Sequence, residues 1–152
     1  MLALTAEERT RSRYRYTIDP SGTDINSGHI DPTAGAVESG ATCEIYLELP
    51  RGTTLQDGDY LVGEAHSQVL KITAKPEPVM TVRALEQAQP RVWLLRAAYH
   101  LGNRHVALEV GSDYLRLSPD PVLESMLERL EVTVTTETAP FQPESGAYGH
   151  HH

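Results

Sequence analysis

Pro90-Arg91-Val92-Trp93-Leu94-Leu95-Arg96-Ala97-Ala98-Tyr99-His100-Leu101-Gly102-Asn103-Arg104-His105-Val106 is the stretch on which the fold of this chain turns. Proline fits the first turn of a helix, where its missing N–H leaves nothing unpaired. Trp93, Leu94, Ala97, Ala98 and Leu101 recur at helical spacing and predict one buried stripe. Gly102 is a helix stop, and Val106-Ala107-Leu108-Glu109-Val110 predicts a strand directly after it. A helix therefore ends on a Gly-Asn pair and hands over to a strand, with His105 at the junction.

The pattern extends in both directions. Val79-Met80-Thr81-Val82-Arg83 predicts a strand before the helix. After the Gly111-Ser112-Asp113 turn, Tyr114-Leu115-Arg116-Leu117 predicts another. Asp120 caps a second helix with Pro121 in its first turn. Val122, Leu123, Met126, Leu127 and Leu130 are its apolar stripe, and Val132-Thr133-Val134-Thr135 is a last strand. The order is βαββαβ, which predicts a ferredoxin-like domain over residues 76–140. From Phe141 the composition turns to Pro, Gln, Glu, Ser and Gly, predicting a disordered, histidine-containing tail over residues 141–152.

Upstream, Ala74-Lys75-Pro76-Glu77-Pro78 predicts an extended connector. Residues 1–75 before it are β-rich. Arg9, Arg11, Arg13 and Arg15 alternate with Thr10, Ser12, Tyr14 and Tyr16, a strand with one solvated charged face. Ile45, Leu47 and Leu49 alternate with polar neighbours. Pro50-Arg51-Gly52 and Asp57-Gly58-Asp59 are turns, and Tyr60-Leu61-Val62 and Val69-Leu70-Lys71-Ile72 are short strands. Short strands with frequent turns predict a small β-sandwich or barrel. Residues 19–42, rich in Gly, Ser, Asp, Pro and Thr, are read as a mobile loop. Glu7-Glu8 is read as part of an N-terminal tail. The class is α+β, in two domains.

Bulk properties exclude several functions. A net charge of −8 opposes binding to nucleic acid or to an anionic membrane surface, both of which require Lys and Arg. No apolar run reaches the ~18 residues of a membrane span. The start Met1-Leu2-Ala3-Leu4-Thr5-Ala6-Glu7-Glu8 turns acidic too soon for a signal peptide. Cys43 is the only cysteine, so no internal disulfide forms and a reducing cytoplasm is the expected location. It is expected to be a small buried filler at the start of a strand. There is no Gly-rich phosphate loop, and no Ser or Cys has a His-acid setting. The chain is expected not to be an enzyme.

Imidazole is a common ligand of Zn, Cu, Fe and Ni. His105 sits at a structured turn, and His150, His151 and His152 close the chain. His100 is read as a solvated or locally bonded residue of the polar helix face, and His29 and His66 as solvated loop residues. Asp57-Gly58-Asp59 lacks the further ligands of a calcium loop.

Tyr99-His100-Leu101-Gly102-Asn103-Arg104-His105 closely resembles the signature of the urease accessory nickel chaperones, the UreE family. Leu49-Pro50-Arg51-Gly52-Thr53, then Leu55 and Gly58-Asp59-Tyr60-Leu61, looks like the family's N-terminal domain. Pro140-Phe141-Gln142-Pro143-Glu144-Ser145-Gly146-Ala147-Tyr148 looks like its exit segment, which a histidine-containing tail normally follows. The Tyr148-Gly149 context thus favours a native tail over an appended tag.

The resemblance implies an N-terminal sandwich linked to peptide binding and a ferredoxin-like metal-binding domain. It implies a cytoplasmic homodimer that gives Ni(II) to the urease apoprotein with a maturation GTPase. His105 is the principal ligand it implies. Some members carry further histidines in the following strand pair, but Tyr114-Leu115-Arg116-Leu117 has none.

Geometry narrows the ligand set. His100 and His105 are five apart, which on an ideal helix turns them about 140° from each other. They make a poor chelating pair. A two-fold dimer brings one residue to its axis twice, so two His105 side chains with His150, His151 and His152 fill a site that one chain cannot. Such a site also takes Zn(II) or Cu(II) in vitro. Two other functions fit the same residues: a peptide-binding chaperone module acting through an exposed β edge, and a metal buffer with no delivery partner.

Overall fold

The computed structural model describes residues 1–19, 42–64, 68–86 and 89–146. They form a mixed α+β protein, mostly strands with two helices. The chain divides into two compact units, Met1–Lys75 and Pro76–His152. The segment read as a mobile loop, 19–42, lies outside the described residues apart from its two ends, as do His29, His66 and the terminal His150–His152. Among the described residues, no helix is long and apolar enough to cross a membrane.

In the first unit β1 (Leu2–Leu4), β5 (Val69–Ala74) and β4 (Tyr60–Val62) form one sheet in that order. β2 (Arg13–Ile18) and β3 (Cys43–Glu48) form a second, antiparallel pair. Leu2, Leu4, Tyr16, Ile18, Leu47, Leu55 and Ile72 bury one shared apolar cluster, drawn from both sheets.

Three expectations are corrected here. The N-terminus is no tail: Leu2 and Leu4 are fully buried, and β1 runs parallel to β5 with Leu2 opposite Ile72. The arginine alternation is not one strand. Thr5-Ala6-Glu7-Glu8 is a capping box, in which the Glu8 N–H donates to Thr5 Oγ1 at 3.3 Å and the Thr5 N–H to Glu8 Oε2 at 2.8 Å. It starts a 3₁₀ turn, Glu8–Thr10. That turn carries Arg9 into the interior, 2% exposed, where its Nη1 donates to the Leu55 carbonyl at 3.4 Å and its own carbonyl accepts from the Leu55 N–H at 2.9 Å. Only Arg13 and Arg15 stand on a solvated strand face. Cys43 does open β3, but it is exposed.

The turns behave as their residues require. Gly58 has φ 90°, a conformation open to glycine at little cost. Asp57 Oδ1 and Asp59 Oδ2 accept the N–H groups of Ala74 and Gln56, at 2.8 and 2.7 Å. The Asp57 carboxylate ties the turn to β5, and the Asp59 carboxylate closes the turn on itself.

The second unit contains β6 (Pro76–Ala84), α1 (Pro90–Gly102), β7 (Glu109–Val110), β8 (Leu115–Leu117), α2 (Pro121–Leu127) and β9 (Val132–Pro140). Its sheet has the order β7-β8-β6-β9, antiparallel throughout. Met80, Val82, Ala97, Leu101, Leu115, Leu117, Leu123, Leu127 and Val132 form the core, with Trp93, Leu94 and Ala98 half-buried against it. Asp120 Oδ1 caps α2 by accepting from the Val122 and Leu123 N–H groups at 2.8 and 3.1 Å.

Strand lengths depart from expectation. Pro76 and Pro78 belong to β6 rather than to a connector. β9 pairs along β6 from Pro76 to Ala84, while β8 covers only Met80–Val82. Both prolines therefore lie where β6 has one neighbour, and a missing N–H on its open side disrupts no ladder. The C-terminal segment also stays packed further than its composition suggests. Phe141 is 2% exposed, the Gln142 N–H donates to Glu109 Oε2 at 2.7 Å, and the Glu144 N–H donates to the Leu108 carbonyl at 2.8 Å.

Candidate functional site

The His105 turn is built by the end of α1. Asn103 keeps helical dihedrals, φ −62° and ψ −18°. The His105 N–H then donates to the Gly102 carbonyl at 2.9 Å, and the Val106 N–H reaches back to the Leu101 carbonyl at 3.4 Å. This pair of bonds is the Schellman closure of a helix, which puts one residue in the left-handed region, normally glycine. Here that residue is His105, with φ 55°, and not Gly102. Val106, half-buried on the core, supplies the apolar contact that accompanies such a closure. A left-handed side-chain residue costs on the order of 1 kcal/mol, and histidine is among the types enriched there.

The histidine is exposed. It stands beyond the helix terminus with its imidazole unencumbered by the core. Arg104 Nη1 donates to the His100 carbonyl at 3.0 Å, holding one of the last free helix carbonyls. His100 lies half-buried in the last turn, edge-on to the Tyr99 ring at 5.5 Å. The structure thus separates the two histidines by role: one packed on the helix, one presented at its end. Among the described residues, no three His, Cys, Asp or Glu side chains cluster as metal ligands.

Two features of this unit were not read from the sequence. The first is a second apolar face on α1. Val92, Leu95 and Tyr99 are 36%, 69% and 66% exposed. At helical spacing they fall within an arc of about 60°. A shallow groove beside them, between α1 and the turn after β7, is lined by Leu94, Leu95, Ala98, Val110, Tyr114 and Leu115. The signal was available: apolar residues cover more of this helix than one buried stripe needs.

The second is a polar knot on the sheet. Arg116 Nε donates to Thr81 Oγ1 at 3.2 Å, and its Nη1 donates to Glu109 Oε1 at 3.2 Å and to the Pro140 carbonyl at 3.0 Å. Its Nη2 reaches Glu137 Oε1 at 3.5 Å. Tyr114 Oη donates to Glu109 Oε1 at 2.7 Å, and that bond, helped by burial, raises the tyrosine's pKa. Thr81 Oγ1 donates to Glu137 Oε1, which with Arg116 and Arg83 nearby lowers the carboxyl's pKa. The residues involved come from β6, β7, β8 and β9, so no local pattern announces them.

Residues 77–152 match the family model of the UreE urease accessory protein, C-terminal domain. Along its length the chain is 49% identical to a urease accessory protein UreE of Nostoc sp., over 99% of this chain and 86% of the relative. It is 50% identical to that of Nostoc punctiforme, over 99% of this chain and 85% of the relative. It is 51% identical to that of Microcystis aeruginosa, over 99% and 79%. The α+β chain is thus one of a class of accessory proteins, which assist an enzyme and are not enzymes themselves. Within that class, this chain belongs to the UreE family.

Proposed function

We propose that this chain is a metallochaperone that binds Ni(II) as cargo and delivers it during assembly of the urease active site. The observation that carries the reading is His105: an exposed imidazole held in the left-handed region at the end of α1, in a member of the UreE family. A side chain kept where glycine is cheaper has a use other than packing. Imidazole suits Ni(II), and equally Zn(II) or Cu(II) in vitro.

One imidazole is one ligand. The reading supplies the rest from a second copy and from the tail. The exposed Val92, Leu95 and Tyr99 face leads along α1 toward the His105 turn, and an apolar stripe of this kind favours self-association. A two-fold axis there brings two His105 side chains together. The tail is within reach. Leu108 is three residues from His105, so their Cα atoms are at most about 11 Å apart. The Leu108 carbonyl holds Glu144. From Glu144 to His150 is six residues, up to about 21 Å of chain. His150, His151 and His152 then act as a capture arm and His105 as the holding point. The second unit is read as ferredoxin-like, supported by its βαββαβ order, and the first as a small sandwich, supported by two sheets on one core. The urease apoprotein and a maturation GTPase are the partners, in the cytoplasm; the relatives' shared description as urease accessory proteins supports this.

The test is reconstitution. Urease apoprotein and the maturation GTPase are supplied with nickel through this protein, loaded and purified. Activation above that given by an equal amount of free nickel is expected. Nickel binding without any gain in activation would leave a metal buffer.

One observation favours a second reading, peptide binding by the first unit. β4 lies at the edge of its sheet, and Tyr60, Val62 and Val69 are 64%, 57% and 64% exposed. Strand addition at such an edge would persist in a His105→Ala chain, which separates it from the nickel reading.

A further inference from the structure

The last turn of α1 tightens before it closes. The Asn103 N–H still reaches four residues back, to the Tyr99 carbonyl at 3.0 Å. The Arg104 N–H goes only three back, to the Leu101 carbonyl at 3.0 Å. A regular α-helix would send that amide to the His100 carbonyl. The Arg104 side chain stands in for its own amide there, Nη1 donating to the His100 carbonyl at 3.0 Å. Residues 90–108 contain no Asp or Glu, so no carboxylate of the helix or the turn competes for the guanidinium. A cation also suits the negative end of a helix dipole.

The residues just before Arg104 give this bond its importance. Glycine and asparagine are the types that most readily take a left-handed helix closure, and Gly102 and Asn103 are both exposed. A stop at either would spare His105 its φ of 55°. A stop at Gly102 would also remove glycine from a helix, where it is a poor residue. Either stop would leave His105 two or three residues past the helix end, outside the closure that fixes it. The reach of Arg104 back to His100 spans four residues, which are neighbours only along a helical path through Asn103. The bond therefore favours the late stop over the two early ones.

We propose that Arg104 is a positioning residue that carries the helix past Gly102 and Asn103, so that the closure falls on His105 and presents its imidazole. This rests on the reading of His105 as a nickel ligand and names the group that sets its place. The sign of the effect separates positioning from simple charge. A positive charge beside a bound cation repels it, so loss of the arginine charge alone would tighten nickel binding. Loss of a positioning bond weakens it, because apparent affinity falls with the fraction of chains in the competent closure.

The experiment uses the full chain, metal-free for NMR and with nickel as the probe for calorimetry. Arg104→Met keeps an apolar stem and removes charge and donors. Arg104→Lys keeps the charge and a donor. A third variant joins Arg104→Met to Gly102→Ala and Asn103→Ala. A Cβ at Gly102 meets open space, and alanine at both positions disfavours the early stops and favours the helix. The NOE between the amide and Hα protons of His105, strong at positive φ, reports the closure. In Arg104→Met this NOE is expected to weaken while the α1 amides up to Leu101 keep their shifts. The tight nickel step is expected to weaken roughly two- to fivefold, the worth of a cation at a helix end. Arg104→Lys should recover part of both effects. The triple variant should recover both, although it has no charge at position 104. A tight step that is unchanged or stronger in Arg104→Met overturns the proposal. So does a weaker step with an unchanged NOE, or a triple variant that is not rescued. If His105→Gly, run alongside, keeps the tight step, the ligand reading falls and this proposal with it. If His105→Gly loses the step while Arg104→Met keeps it, this proposal falls by itself.

Discussion

At the scale of single residues, His105 carries two burdens that can be pulled apart. It is a ligand in the proposed function, and it is a left-handed residue in the helix closure. Alanine removes the first and keeps the strain of the second. Glycine removes both. His105→Gly should therefore be more stable than His105→Ala by about 1 kcal/mol, because glycine reaches positive φ without the Cβ penalty. Both should lose the tightest nickel step. Urea unfolding of the two metal-free variants measures the difference; equal midpoints would show that the φ of 55° is not held in solution. The place of this histidine, just past the Gly-Asn pair that ends a helix, was legible in the sequence. Its conformation was not. Gly102 reads as the natural stop, yet Asn103 continues the helical dihedrals and Arg104 ties back to the His100 carbonyl. The closure then falls three residues later, on His105 and not on the glycine that ordinarily takes it.

Among elements, β6 and β9 show how charge sets acid stability. Glu137 on β9 accepts from Thr81 on β6 and sits near Arg116 and Arg83, so its folded pKa lies below its usual 4.5. The sign follows from proton binding: below that usual value the unfolded chain holds more protons at this site than the folded one. The stabilisation is complete above the unfolded pKa and is lost as pH falls through the lowered folded value. Glu137→Gln should be less stable than the unmodified chain at neutral pH and should flatten the loss of stability on the acid side of 4.5, so that the two proteins converge as the carboxylate protonates. Urea midpoints taken across that range decide it; parallel curves for the two proteins would refute the coupling. Much at this scale could be read from the chain. The stripe of α1, the Asp120 cap and the turn at Gly58 follow from spacing and residue type. What escaped was set by distant partners. Leu2 and Leu4 form a strand only because β5 lies alongside, and Phe141 is buried only because Glu109 and Leu108 hold the segment that follows. The capping box at Thr5 and Glu8 was a local signal, masked by the louder alternation of arginines.

For the whole molecule the central step is assembly. Leu95 is 69% exposed, so Leu95→Glu should alter the stability of one chain by no more than about 0.5 kcal/mol. It places a charge on the face proposed to meet its copy. Light scattering should find the variant monomeric where the unmodified chain is dimeric, with nickel bound more weakly because each site then has one His105. A variant that stays dimeric would move the interface off α1. Binding in either form should also fade as pH drops through the range where free imidazole protonates, about 6.5, because protons compete for the same nitrogens. The most direct measurement is a calorimetric nickel titration of the full-length His105→Gly chain beside the unmodified one. The predicted result is loss of the tightest step, by about tenfold or more in affinity, with the weaker tail-dependent binding still present and fewer tight ions than chains in the unmodified protein. An unchanged tight step in His105→Gly would contradict the assignment of His105 as the residue that holds the metal.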